Sequence, residues 1–225
     1  MPCVIFDGRS EDFATEMFVI INSTPTRINK SHLVDLYERV SWAEPDRRFA
    51  AQVTEMLYRE SDSPLRYRIN RLGGRSRQEK WILQAELFNE IHRWVKRSWK
   101  RIEASGADRR GAERLYATAR DFLKAAAPAW GEAWGHSGYM VTKPVALKAM
   151  LRVCADLAEQ DGEPAEGRLE RWKGRLGPWS EQVRAFRNEG FYERFPAKGQ
   201  VERVGRIQRE LARAAGIAAR GRGTG

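Results

Sequence analysis

Four groups of residues in this 225-residue chain have the types and spacing to hold an anion. The first is the polar knot Asn22-Ser23-Thr24-Pro25-Thr26-Arg27-Ile28-Asn29-Lys30, which ends the apolar run 17–21 and leads at once into a second helical pattern. A chain entering a helix start offers unpaired backbone N–H groups and the positive end of the helix dipole. Ser23, Thr24 and Thr26 add hydroxyl donors, Asn22 and Asn29 add amides, and Arg27 and Lys30 add charge. That set suits a phosphate, and it also suits an ordinary helix connection closed by capping side chains. The second group is Arg66, Arg68, Arg71, Arg75, Arg77 and Lys80 around the pair Gly73-Gly74. No Gly-Lys-Ser/Thr ending follows those glycines, so this is not a P-loop. It reads either as a set of backbone-phosphate contacts or as a solvated loop. The third is Arg93, Lys96, Arg97, Lys100 and Arg101, interleaved with Trp94 and Trp99. Aromatics among cations can stack bases, but helical spacing puts Trp99 on the core stripe, and core packing is expected of both tryptophans with the charges as a solvated or phosphate-facing rim. The fourth is the row Arg206, Arg209 and Arg213 on the polar side of the last helical pattern.

No catalytic constellation accompanies them. His32, His92 and His136 lie far apart, with no carboxylate or cysteine at metal-ligand spacing, so zinc chemistry is not expected. Cys3 and Cys154 form no disulfide framework, and neither sits in a context that activates a thiol. We expect no metal, no cofactor and no catalytic residue.

The formal charge is +10, unevenly placed. Residues 1–65 carry seven basic against eleven acidic side chains, 66–105 eleven against four, 106–165 eight against eight, and 166–225 fourteen against seven. Two separated basic blocks point to a polyanion partner, with an arginine-rich soluble protein as the plainer account. No run approaches the ~18 apolar residues of a membrane span, and no secretory leader is visible, so a cytoplasmic protein without a membrane partner is expected.

Several elements position these groups. Val4-Ile5-Phe6 reads as a strand ending at Asp7-Gly8. Ser10 or Asp12 caps a helix bearing Phe13, Met17, Ile20 and Ile21, which Pro25 ends. A helix from Asn29 or Ser31 turns Leu33, Leu36, Tyr37 and Val40 inward, and Pro45 opens another bearing Phe49, Val53, Met56 and Leu57. Residues 65–70 alternate apolar and polar as a strand. Residues 72–77 turn into a helix reaching about residue 101, with Trp81, Ala85, Phe88, Ile91, Val95 and Trp99 on its stripe. A helix from Asp108 breaks at Pro128, and another runs from about Pro144 to Glu159. Shorter helices follow from Arg168 and Pro178. The last, over 199–215, turns Val201, Val204, Ile207 and Leu211 inward.

The order of these features resembles the DGQHR-domain proteins, a family linked to DNA modification with a ParB-like fold. The features are the strand Val4–Phe6, the acidic helix before Phe18, the pair Ile21-Asn22, the turn Thr24-Pro25-Thr26-Arg27 and the helix from Trp81 to Val95. Residues 139–215 are more loosely similar to the helical C-terminal part of such proteins, including those associated with DNA sulfur modification; Phe191-Tyr192 and Gly199 precede the last helix there. The naming motif Asp-Gly-Gln-His-Arg is missing, and Asp7-Gly8-Arg9 is no substitute because it lacks the Gln-His pair and follows the strand.

The resemblance implies a chain that starts inside the domain, without the sheet half and its nucleotide-hydrolysing or nuclease chemistry. It makes Asn22, Thr24, Arg27 and Asn29 candidates for a nucleotide or nucleic-acid groove. The expected fold is mainly α with a few short strands, a partial ParB-like α+β unit over 1–104 followed by a helical domain over 105–225. The expected function is a non-catalytic DNA-binding component of a DNA-modification or mobile-element and phage-defence system. Two alternatives stay open. One is a truncated ParB-like nucleotide-hydrolysing or nuclease protein. The other is an interaction module that meets a protein partner or a second copy through Val4–Phe6 and Phe13–Ile21.

Overall fold

The computed structural model describes residues 8, 10–23, 34, 35, 37, 43–71, 79–162 and 164–218. Among them the chain is mainly helical. In order the elements are α1 (Glu11–Ser23), α2 (Pro45–Arg59), β1 (Ile69–Asn70), β2 (Ile82–Leu83), α3 (Gln84–Ala104), α4 (Arg109–Trp130), α5 (Pro144–Gln160), α6 (Arg168–Leu176), α7 (Phe191–Arg194) and α8 (Gln200–Ala214). Two 3-10 segments, Gly131–Ala133 and Gly177–Phe186, join them.

The helix starts follow local chemistry. The hydroxyl of Ser10 accepts from Phe13 N at 3.3 Å and opens α1. Pro45, at the first turn of α2, lacks an N–H where none is needed. The Asp108 carboxylate accepts from Gly111 N at 2.8 Å and caps α4. That backbone N–H holds the carboxyl below its ordinary pKa.

Packing joins the elements around one continuous cluster of buried side chains running from Val34 to Ile217. Helix α2 lies against both α3 and α4, α5 against α3 and α8, and α4 against α6 and the second 3-10 segment. One end of the core is aromatic: Trp130, Trp179, Phe186, Phe191 and Phe195 meet at centroid distances of 4.7–5.6 Å. The expected boundary at 104/105 falls in the connection between α3 and α4, and α2 from the first segment packs directly on α4 from the second.

Several expectations are corrected. The strand expected over 65–70 shrinks to Ile69–Asn70, because residues 64–68 fold into turns closed by Arg66 N to Ser63 O and Arg68 N to Leu65 O. Tyr67 has φ 58°, a left-handed value that interrupts any extended run. The long helix begins only at Gln84. Trp81 precedes it and is buried, while Ile82 and Leu83 pair in parallel with Ile69 and Asn70. Pro128 does not break α4, which reaches Trp130. A proline so near the helix end removes a single bond, and Gly131 at φ 51° ends the helix instead. From Pro178 the chain is 3-10 rather than α. Val201 is 58% exposed, so of the four residues expected inward on α8 it is the one that faces out, while Val204, Ile207 and Leu211 are buried. In the second helical segment Val34 is buried, and Tyr37 stacks on Phe88 at 5.5 Å. The strand expected at 4–6 lies outside the described residues.

Candidate nucleic-acid interface

Helix α3 places its residues by period alone. Leu87, Ile91, Trp94, Val95 and Ser98 are buried on one face. The opposite face carries Arg93, Lys96 and Lys100, spaced three and four residues apart and therefore stacked in one row. All three are exposed. Arg93 makes a 3.4 Å contact with Glu90, and among the described residues Lys96 and Lys100 make no ion pair. Arg101, one turn past Arg97, is likewise exposed.

The C-terminal half of α3 borders a groove of about 620 Å³ lined by Lys96, Arg97, Trp99, Lys100 and Arg101, with Asp46 and Glu159 at its sides. The two acids face inward partners. Asp46 Oδ2 sits 3.0 Å from His92 Nε2, and Glu159 accepts from Arg97 at 2.8 Å and Ser98 at 3.2 Å. The groove's outward charge is therefore positive. It shares Ser98 and Arg101 with a second cleft of about 350 Å³, whose wall holds Phe49, Trp94 and Trp172 beside Arg114 and Arg168. Arg168 is held there by Asp121 (2.6 Å) and Thr118 (3.1 Å), and Arg114 by Ser105 O (2.7 Å).

The structure sorts the expected phosphate ligands by what they touch. Arg97 is drawn inward: it reaches Asp156, whose side chain is fully buried, at 2.8 Å, and Glu159 at the same distance. Arg71 likewise bridges Asp35 (2.7 Å) and Glu55 (3.4 Å) and lies over the Tyr58 ring. Burial disfavours its charge, but the two carboxylates outweigh this and hold its pKa above the ordinary arginine value. These two arginines join helices. Arg66, Arg68 and Lys80 surround the turn at Tyr67, with Arg66 over the Tyr67 ring (4.8 Å) and Arg68 over Trp81 (5.1 Å). Trp94 is core, as expected, while Trp99, which spacing put on the core stripe, is only half-buried with its ring 6.2 Å from Phe49.

On α8, Arg206, Arg209 and Arg213 line a separate 190 Å³ hollow with Arg194. Arg206 pairs with Glu202 at 2.9 Å and Arg194 with Glu210. Among the described residues Arg209 and Arg213 make no ion pair. Asn22 and Ser23 are the last residues of α1. Thr24, Thr26, Arg27, Asn29, Lys30, Arg75 and Arg77 lie outside the described residues, so the polar knot is not placed.

Sequence reasoning missed Arg114, Arg168 and Arg194. Each joins its cluster through tertiary packing, and no local pattern marks it. Among the described residues no three His, Cys, Asp or Glu side chains converge as a metal site, and no helix is long and apolar enough to cross a membrane. Cys154 is buried, which pushes its thiol well above the ordinary value. No family model, no curated protein and no solved structure matches this chain.

Proposed function

We propose that this chain is a DNA-binding protein whose main contact is the outer face of α3. The observation that carries the reading is the row Arg93, Lys96 and Lys100, continued by Arg101 beside an open groove. Lysines on a rigid helix with no internal counter-charge are suited to phosphate, because binding releases the counterions condensed on the nucleic acid. Arg101, in the last turn of α3, also complements the helix dipole. A place for this protein in DNA modification or phage defence rests on the resemblance in the order of features over residues 4–100, and more loosely over 139–215.

Binding by phosphate contacts must weaken with salt by about 0.9 logarithmic units per contact per tenfold change in salt. Replacing Lys96 and Lys100 by Gln keeps helix propensity and removes two contacts. The slope should flatten by about 1.8, so raising salt from about 50 to 200 mM should cost the wild type roughly tenfold more affinity than the variant. Fluorescence anisotropy with a duplex oligonucleotide measures this. Equal slopes, or no binding at low salt, would refute the reading.

A further inference from the structure

Tyr67 combines features that rarely coincide. It is the one non-glycine residue with positive φ among the described residues, at 58°. It is also 55% exposed, one of three large hydrophobic side chains so exposed there. A side chain with a Cβ crowds its own backbone in that region, and glycine would fit without penalty. An exposed ring recovers little of that cost by burial.

The conformation is held firmly. Tyr67 N donates to Tyr58 O at 3.4 Å, Arg68 N to Leu65 O at 2.9 Å, and Lys80 Nζ reaches Tyr67 O at 2.5 Å. Trp81 N donates to Arg68 O at 2.7 Å, tying the turn to β2 and the start of α3. The ring meets Tyr58 at 5.8 Å and 82°, and the Arg66 guanidinium lies 4.8 Å from its centroid. A left-handed residue that its surroundings over-determine, and whose ring is more than half exposed with one cation over it, is the kind of outlier from which a functional hypothesis starts.

We propose that the face of the Tyr67 ring opposite Arg66 is a stacking platform for an unpaired base of single-stranded DNA, with Arg66 backing the ring and Arg68 nearby to meet an adjoining phosphate. The proposal rests on the DNA-binding reading above and extends it from duplex to single strands. Every base has a π-face, so an aromatic platform flanked by cations holds single strands with little sequence preference. A base inside a duplex is covered on both faces by its neighbours and offers no face to the ring.

Tyr67→Gly separates binding from folding, because glycine accepts φ 58°. Affinity is measured for oligo-dT, for an abasic backbone of equal length and for a duplex. Tyr67→Gly should weaken oligo-dT binding by about 5- to 150-fold, the range of one lost stacking contact. Affinity for the abasic strand and the duplex should be unchanged, and the melting temperature unchanged or raised. Tyr67→Phe keeps the ring and should bind oligo-dT as the wild type does. Equal loss on oligo-dT and the abasic strand, no loss on either, or a Tyr67→Gly protein that melts early would each overturn the proposal. If oligo-dT binds with a salt slope set by Lys96 and Lys100 yet ignores Tyr67, only the platform falls. If no nucleic acid binds at low salt, the DNA reading falls with it.

Discussion

Removing Arg97 should damage the fold rather than DNA binding. Its neighbour in sequence, Lys96, faces solvent, whereas Arg97 reaches into the junction of three helices. There Asp156 on α5 accepts from Arg97 Nη1 at 2.8 Å and from Gln208 of α8 at 2.6 Å, with its side chain fully buried. Arg97→Met keeps the apolar stem and deletes the charge. The Asp156 carboxylate would then be buried with Gln208 as its remaining donor. Breaking a buried pair from one side costs about 3–5 kcal/mol. The Arg97 side chain is 30% exposed, and solvent screening lowers the figure to about 2–3 kcal/mol. For a chain of this length that is a fall of roughly 4–12 °C in melting temperature. Adding Asp156→Asn removes the stranded charge and leaves an acceptor for Gln208, so the double variant should regain about 1 kcal/mol or more of the loss. Urea unfolding followed by circular dichroism measures each value. An Arg97→Met protein as stable as the wild type, with a DNA salt slope flatter by about one unit, would refute this assignment and make Arg97 a phosphate ligand.

Further expectations concern other named contacts. The Tyr116 hydroxyl donates to Asp62, which Arg120 also holds at 2.8 Å. Burial first, and then this hydrogen bond, push the Tyr116 phenol well above its ordinary pKa. Its contribution is therefore complete below the unfolded value, about 10, and is lost as pH rises through the folded one. Tyr116→Phe should flatten the alkaline limb of a stability–pH profile, and an unaltered limb would dismiss the linkage. Asp62 has the opposite sign: burial raises its pKa, but Tyr116 and Arg120 outweigh this, so its contribution is lost as pH falls through the lowered folded value. Gly111→Ala would set a Cβ 2.2 Å from Gly106 O and 3.2 Å from the Phe49 ring. It should cost about 1–3 kcal/mol by overpacking, and a melting temperature equal to the wild type's would count against the close approach. In a Cys3→Ser background, Cys154 should react with a thiol reagent only as fast as the chain opens, so rapid labelling in native buffer would contradict its burial.

Period and punctuation made much of the helical frame legible in sequence. Phe49, Val53 and Leu57 lie on the core face after Pro45, as do Phe88, Ile91 and Val95 in α3, and Val204, Ile207 and Leu211 in α8. Those positions follow from a 3.6-residue repeat acting within one segment. The basic character of α3 was legible for the same reason, since a row at three- and four-residue spacing needs only a helix to form it. What tertiary structure alone decided is the fate of each charge. Lys96 and Arg97 are adjacent in sequence and alike in charge, yet Asp156, 59 residues further on, captures one and leaves the other facing water. Alternation over 65–70 implied a strand, but contacts to Tyr58 and Lys80 pull Tyr67 into a left-handed turn and shorten the strand to two residues paired with Ile82 and Leu83. Local patterns report which face a residue takes. Its partner across the core depends on which helices meet there, and that information lies in packing between segments far apart in the chain.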